Sequence, residues 1–99
     1  MIARLKGLVD SVSADSVIVD VNGVGYLVQA STRMLASLSV GQPVALHIET
    51  QVREDAITLF GCVSESELAA FRALITVQGV GGRVALNILS VLTPDLVAH

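Results

Sequence analysis

Up to residue 61 apolar side chains alternate with polar ones, and after residue 67 they recur every three or four positions. That change of period calls for strands first and helices second within one short chain. Ile2-Ala3-Arg4-Leu5-Lys6-Gly7-Leu8-Val9 places Arg4 and Lys6 on one face and Leu5 on the other. Ser16 to Val21 alternates less cleanly, and Asn22-Gly23 then turns the chain into Tyr26-Leu27-Val28-Gln29-Ala30, the signal of a two-residue hairpin. Ser31 or Thr32 is placed to cap a short helix through Met34, Leu35 and Leu38. Val44 to Val52 alternates again, Arg53-Glu54-Asp55 forms a polar tip, and Ala56 to Gly61 returns. Five strands with a short helical insert predict a small Greek-key barrel of the OB kind. An SH3-like barrel stays open, because strand count alone does not separate the two.

Residues 63–66 read as a linker between a barrel over 1–62 and a helical module over 67–99. Ser64 and Glu67 have capping-box spacing, and Leu68, Phe71, Leu74 and Ile75 give one apolar helical face. The pattern breaks at Gln78-Gly79-Val80-Gly81-Gly82-Arg83, and a second apolar helix follows with Val84, Leu86, Ile88 and Leu89. Gly79 and Gly81 accept positive φ at little steric cost and leave backbone amides uncovered. Such amides at a helix N-terminus make a concave site for a phosphate, with Arg83 placed to add a charge-assisted contact. The arrangement resembles a helix-hairpin-helix, which grips the DNA backbone without reading bases. Any tight helix-helix connection can use Gly-x-Gly, and Asn22-Gly23-Val24-Gly25 nearly repeats the tetrapeptide in a strand context. The dinucleotide fingerprint is not met, because position 84 is valine and no strand precedes Gly79. Thr93, Pro94 and Asp95 read as the start of a third helix close to the end at His99, so the chain is expected to be a fragment.

Hydrophobic residues make up 53% of the 99 residues and charged residues 15%, with a mean hydropathy of +0.72, far too apolar for a disordered chain. No apolar run approaches the length of a membrane span and no signal peptide opens the chain, so no membrane partner and a cytoplasmic setting are expected. Cys62 is the one cysteine, expected as a small buried thiol; neither it nor His47 or His99 sits in a metal-ligand or catalytic spacing, and no cofactor is expected. The net charge is −3, with only Arg4, Lys6, Arg33, Arg53, Arg72 and Arg83 to meet phosphates. DNA binding by such a chain relies on backbone amides, on a concentrated basic face, or on several weak sites joined by oligomerisation.

An ordered set of motifs resembles the bacterial RuvA family, the junction-binding subunits of branch-migration complexes. The set comprises Met1-Ile2 with Gly7, Asn22-Gly23-Val24-Gly25-Tyr26, Val52-Arg53-Glu54-Asp55-Ala56, Leu59-Phe60-Gly61, and Gly79-Val80-Gly81 followed by Ala85-Leu86 and Ile88-Leu89. The resemblance covers essentially the whole chain. It implies an OB barrel followed by the first helix-hairpin-helix of a middle domain, and a homotetramer, with octamers as an option, holding an open four-way (Holliday) junction. It further implies a phosphate-binding hairpin at Gln78, Gly79, Val80, Gly81, Gly82 and Arg83, and an acidic pin of Glu54 and Asp55 near the junction centre. A RuvB-type ATPase and a RuvC-type resolvase would be partners of the full-length protein, in recombination, repair and the SOS response. Two departures matter: the usual Gly-Val-Gly-Pro is here Gly81-Gly82, and a second helix-hairpin-helix and a motor-contacting C-terminal domain are absent from the sequence.

On the residues alone, Glu54-Asp55 beside Arg53 is equally a solvated turn, and two adjacent acids without further ligands make a poor metal site. The reading is therefore a non-catalytic, structure-selective DNA-binding module. Its rivals are a generic single-strand-binding OB module, which wants stacking aromatics where this chain has only Tyr26, Phe60 and Phe71, and a purely structural oligomerisation domain.

Overall fold

The computed structural model describes residues 1–92. Strand β1 (Arg4–Val12) pairs antiparallel with β2 (Ser16–Val21), and β2 pairs antiparallel with β3 (Val24–Gln29). A five-residue helix, α1 (Thr32–Ala36), leads to β4 (Pro43–Val52), which pairs antiparallel with both β1 and β5 (Ile57–Cys62). A parallel pairing of β3 with β5 closes the barrel in the order β1-β2-β3-β5-β4. That order, with the helix between β3 and β4, is the OB fold and settles the choice against an SH3-like barrel.

Closure depends on β1 serving two neighbours. Residues Arg4 to Leu8 pair with β4 and Leu8 to Val12 with β2, and the register with β2 slips between Val9 and Ser11. Such a bulge bends the strand and increases its twist, which lets one strand belong to both sides of a barrel. Gly7 lies two residues before the bulge, where a side chain would run into the carbonyl oxygen of Asp20. At the β2–β3 hairpin, Asn22 (φ 52) and Gly23 (φ 90) are both left-handed, as a type I′ turn requires, and Asp20 Oδ1 accepts the Gly23 N–H at 2.8 Å.

The strand alternation fills the barrel. Leu5, Val9, Val17, Val19, Val28, Leu46, Ile48 and Leu59 form its interior with Met34 and Leu35 of α1, while Arg4 and Lys6 are exposed. Strand β5 departs from the half-buried pattern: Leu59 joins the interior, whereas Phe60 and Cys62 are buried on the other side. They are covered by α2 (Glu65–Ile75) and α3 (Gly82–Val91), whose Leu68, Ala70, Phe71, Ala85, Leu86 and Leu89 make a second core. The Phe60 and Phe71 rings lie 5.2 Å apart at 34°, within the favourable range for offset aromatic pairs. An ion pair between Arg72 and Glu49 at 2.8 Å ties α2 to β4 from outside, and its exposure limits its worth.

Both serine caps form. Ser31 Oγ accepts the Met34 N–H and Ser64 Oγ accepts the Glu67 N–H, each at 3.1 Å. The third-helix start expected at Thr93, Pro94 and Asp95 lies outside the described residues.

Candidate nucleic-acid interface

Helix α2 ends at Thr76, whose hydroxyl donates to the Ala73 carbonyl at 2.6 Å, and the Val80 N–H then closes a turn onto the Val77 carbonyl at 3.0 Å. The three glycines of this turn have three different reasons. Gly79 is left-handed (φ +86) with no atom crowding its missing Cβ, so backbone conformation alone selects it. Gly81 is extended (φ −89, ψ 179) and is the N-cap of α3; the positive φ expected of both glycines holds only for Gly79, because an N-cap enters its helix from the β region. Gly82 is buried in the first turn, where a Cβ would run into the Phe60 ring. The departure at position 82 therefore brings the start of α3 hard against the barrel's last strand.

Helices α1 and α2 begin under serine side chains; α3 has no side-chain cap. The N–H groups of Gly82, Arg83 and Val84 consequently have no acceptor among the described residues. Gln78 and Gly79 beside them are exposed, while Val80 leans on the helical core.

Arg83 is engaged elsewhere. Its Nη1 donates to the Ala30 carbonyl at 3.0 Å, and its Nη2 donates to the Asp15 carbonyl at 2.7 Å and to Gln29 Oε1 at 2.6 Å. The guanidinium that sequence spacing set toward a phosphate is turned onto the barrel. Of the other cations, Arg72 is paired with Glu49 and Arg33 donates to the Leu92 carbonyl at 3.4 Å, leaving Arg4, Lys6 and Arg53 without side-chain partners among the described residues.

Glu54 and Asp55 stand at the tip of the β4–β5 hairpin, closed by the Arg53 N–H on the Ala56 carbonyl at 2.8 Å. Both are exposed, with no partner among the described residues. The β4–β5 register runs from His47 opposite Cys62 to Val52 opposite Ile57, so the tip stands at least roughly 17 Å along the hairpin from Cys62, beyond which α2 begins. The start of α3 meets β5 at neither end, since Gly82 lies on the ring of Phe60, three residues along the strand from Ile57 at the tip end.

One buried group escaped the sequence reading. Glu67 has capping-box spacing, yet its side chain is only 4% exposed and its Oε1 has no partner. Burial pushes its carboxyl above the usual 4.5, against the opposing pull of the Val63 amide and the Arg33 guanidinium. The neighbouring Cys62 thiol is pushed up to about 12, first by burial and then by the Glu67 charge, so it is an inert buried thiol as expected. For Glu67 the folded state favours the protonated form, so its contribution is fully present below the ordinary value and is lost as pH rises through the raised one. Glu67→Gln is therefore expected to raise the melting temperature at pH 8, with a gain that shrinks as the pH falls toward 4.5. Thermal scans of both proteins across that range check it. Among the described residues no group of three or more His, Cys, Asp or Glu is gathered as a metal site, and no helix is long and apolar enough to cross a membrane.

A closed OB barrel whose last strand carries a helical hairpin on its outer face defines the structural class. The chain belongs to the RuvA family: the family model described as the RuvA N terminal domain matches residues 1–61. Its relatives include the Holliday junction branch migration complex subunit RuvA of Paramagnetospirillum magneticum, 60% identical over 96% of this chain and 45% of that protein. The proteins of the same name from Methylobacterium radiotolerans and Afipia carboxidovorans are 57% and 55% identical, over 99% and 100% of this chain and 48% and 49% of theirs. The chain spans about half the length of these curated relatives.

Proposed function

We propose that this chain is a non-catalytic module that binds four-way DNA junctions by shape and backbone phosphates, as part of a homotetramer. The uncapped N-terminus of α3 carries the reading: three unpartnered amides follow an exposed glycine turn, where a phosphate oxygen is a fitting acceptor. Gln78, Gly79, Val80, Gly81 and Gly82 supply the backbone of this cradle, while Glu54 and Asp55 repel phosphates from the junction centre. Branch migration and strand cleavage belong to separate partners, a RuvB-type ATPase and a RuvC-type resolvase. The rival single-strand reading finds little support, because Phe60 and Phe71 are consumed by the helical core and only half-buried Tyr26 remains for stacking.

A junction-against-duplex gel shift at fixed salt tests this reading, with the junction expected to shift at lower protein concentration. Gly79→Val is expected to weaken both complexes, because a β-branched residue is forced into the left-handed region at a cost of about 1–2 kcal/mol. Gly81→Val, in extended backbone with open space around it but a poorer N-cap than glycine, is expected to cost about 1 kcal/mol of stability while its side chain crowds the amides. Equal junction affinity for parent and both variants, with the fold intact, would show that the phosphate lies elsewhere.

A further inference from the structure

Two consecutive residues at the start of α3 dock on two strands that are themselves register partners. Gly82 lies against the ring of Phe60 in β5, and Arg83 hydrogen-bonds the side chain of Gln29 in β3. In the parallel β3–β5 pairing, Gln29 stands opposite Phe60. The first turn of α3 is therefore seated across the very pair that closes the barrel. The remaining two bonds of Arg83 go to the carbonyls of Ala30, at the exit of β3, and Asp15, in the β1–β2 turn. These acceptors are interlinked, since the Ala30 N–H also donates to the Asp15 carbonyl at 3.2 Å. Further along α3, Ser90 Oγ accepts from both the amide (3.1 Å) and the hydroxyl (3.0 Å) of Thr32 in α1.

No carboxylate pairs with Arg83 among the described residues, and a cation in the first turn of a helix is disfavoured by the helix dipole. What holds it is the fork: a planar guanidinium meets three acceptors in fixed directions, which a lysine ammonium on its flexible stem does not reproduce. We propose that Arg83 is a positioning residue for junction recognition, fixing the Gly79–Gly82 turn at a set angle to the barrel instead of contacting phosphate itself. The role rests on the junction reading above, and its reason is geometric: phosphate cradles on separate subunits engage the arms of one junction together only if each is held rigidly on its own barrel.

The test uses the whole chain in four forms: parent, Arg83→Gln, Arg83→Lys and Gln29→Ala, each first checked for fold by its amide NMR spectrum. Junction and duplex affinities are measured over a salt series. Residual dipolar couplings of α3 amides against barrel amides report the hairpin angle without DNA. The positioning role predicts that all three variants lower the junction-to-duplex ratio by about tenfold, ~1.4 kcal/mol, with altered couplings and an unchanged salt slope. Lysine should fail to rescue, and Gln29→Ala, which removes no charge, should move the ratio in the same direction. A direct phosphate contact predicts the opposite: Arg83→Lys behaves as parent, Gln29→Ala is silent, and Arg83→Gln flattens the salt slope by about 0.9 for each phosphate that is no longer neutralised. That pattern, or unchanged couplings in Arg83→Gln, overturns the proposal. A parent with no junction preference overturns the junction reading instead, and the couplings then still decide whether Arg83 fixes the hairpin.

Discussion

Phe71→Ala is expected to cost about 3–5 kcal/mol of folding stability, the range for truncating a fully buried aromatic. The ring has no exposed surface and lies in the middle of the helical core, between Phe60 and Cys62 of β5 and the apolar face of α3. Domains of this size have only about 5–15 kcal/mol in hand, so the loss takes a large part of the total. The damage should reach beyond the helices. Phe60 is held between the Phe71 ring and Gly82, and a void on one side frees it to shift, loosening the seat of α3 and the amides of its first turn. Denaturant unfolding followed by circular dichroism should show a lower midpoint, and amide exchange should show early loss of protection in α2 and α3. A stability within about 1 kcal/mol of the parent would mean that this ring does not hold the helical core together.

The second large effect is expected at the acidic tip. Glu54→Gln with Asp55→Asn removes two negative charges per subunit from an exposed turn that no cation neutralises among the described residues. If these carboxylates face converging phosphates, duplex DNA becomes better tolerated while junction binding is kept or tightened, so the junction-to-duplex ratio should fall by about tenfold at low salt. The effect should shrink as salt rises, since exposed charges are screened over about 10 Å at 0.1 M. Ordinary solvated turn residues would instead raise both affinities by one small, equal factor. Carboxylates binding a metal ion would make binding or cleavage depend on a divalent cation, and the double change would abolish that dependence. Measuring the ratio at two salt concentrations separates the three outcomes, and an unchanged ratio would remove the pin from the account.

The period of the apolar residues made the barrel and the order of its elements legible. Alternation placed Leu5 inside and Arg4 and Lys6 outside, and Asn22-Gly23 named its own turn type. Serine caps located the starts of α1 and α2. Contacts between segments distant in the chain were not legible. Nothing local to Arg83 says that Asp15, Gln29 and Ala30 lie within reach, because that proximity arises only once the barrel closes. Gly82 had the same difficulty: an absent side chain signals close approach only when the approaching group is known, and here it is a ring 22 residues earlier. Glu67 carried a clear cap signal, yet its burial depends on how α1 and α2 come together beside Val63.

Strand β5 has little room for error in either direction. Leu59 and Gly61 face the barrel, and Phe60 and Cys62 face the helices, so consecutive residues serve different cores. A slip of one residue would carry the Phe60 ring toward the Val28 and Leu46 side chains that already press on Gly61, and would leave the helices facing leucine and glycine positions. One inserted or deleted residue between Thr58 and Cys62 would therefore spoil both cores at once. The tip at 53–56 closes through one backbone bond and buries nothing. For folding alone, an added residue is tolerated at the tip and not between Thr58 and Cys62, though at the tip it would displace Glu54 and Asp55.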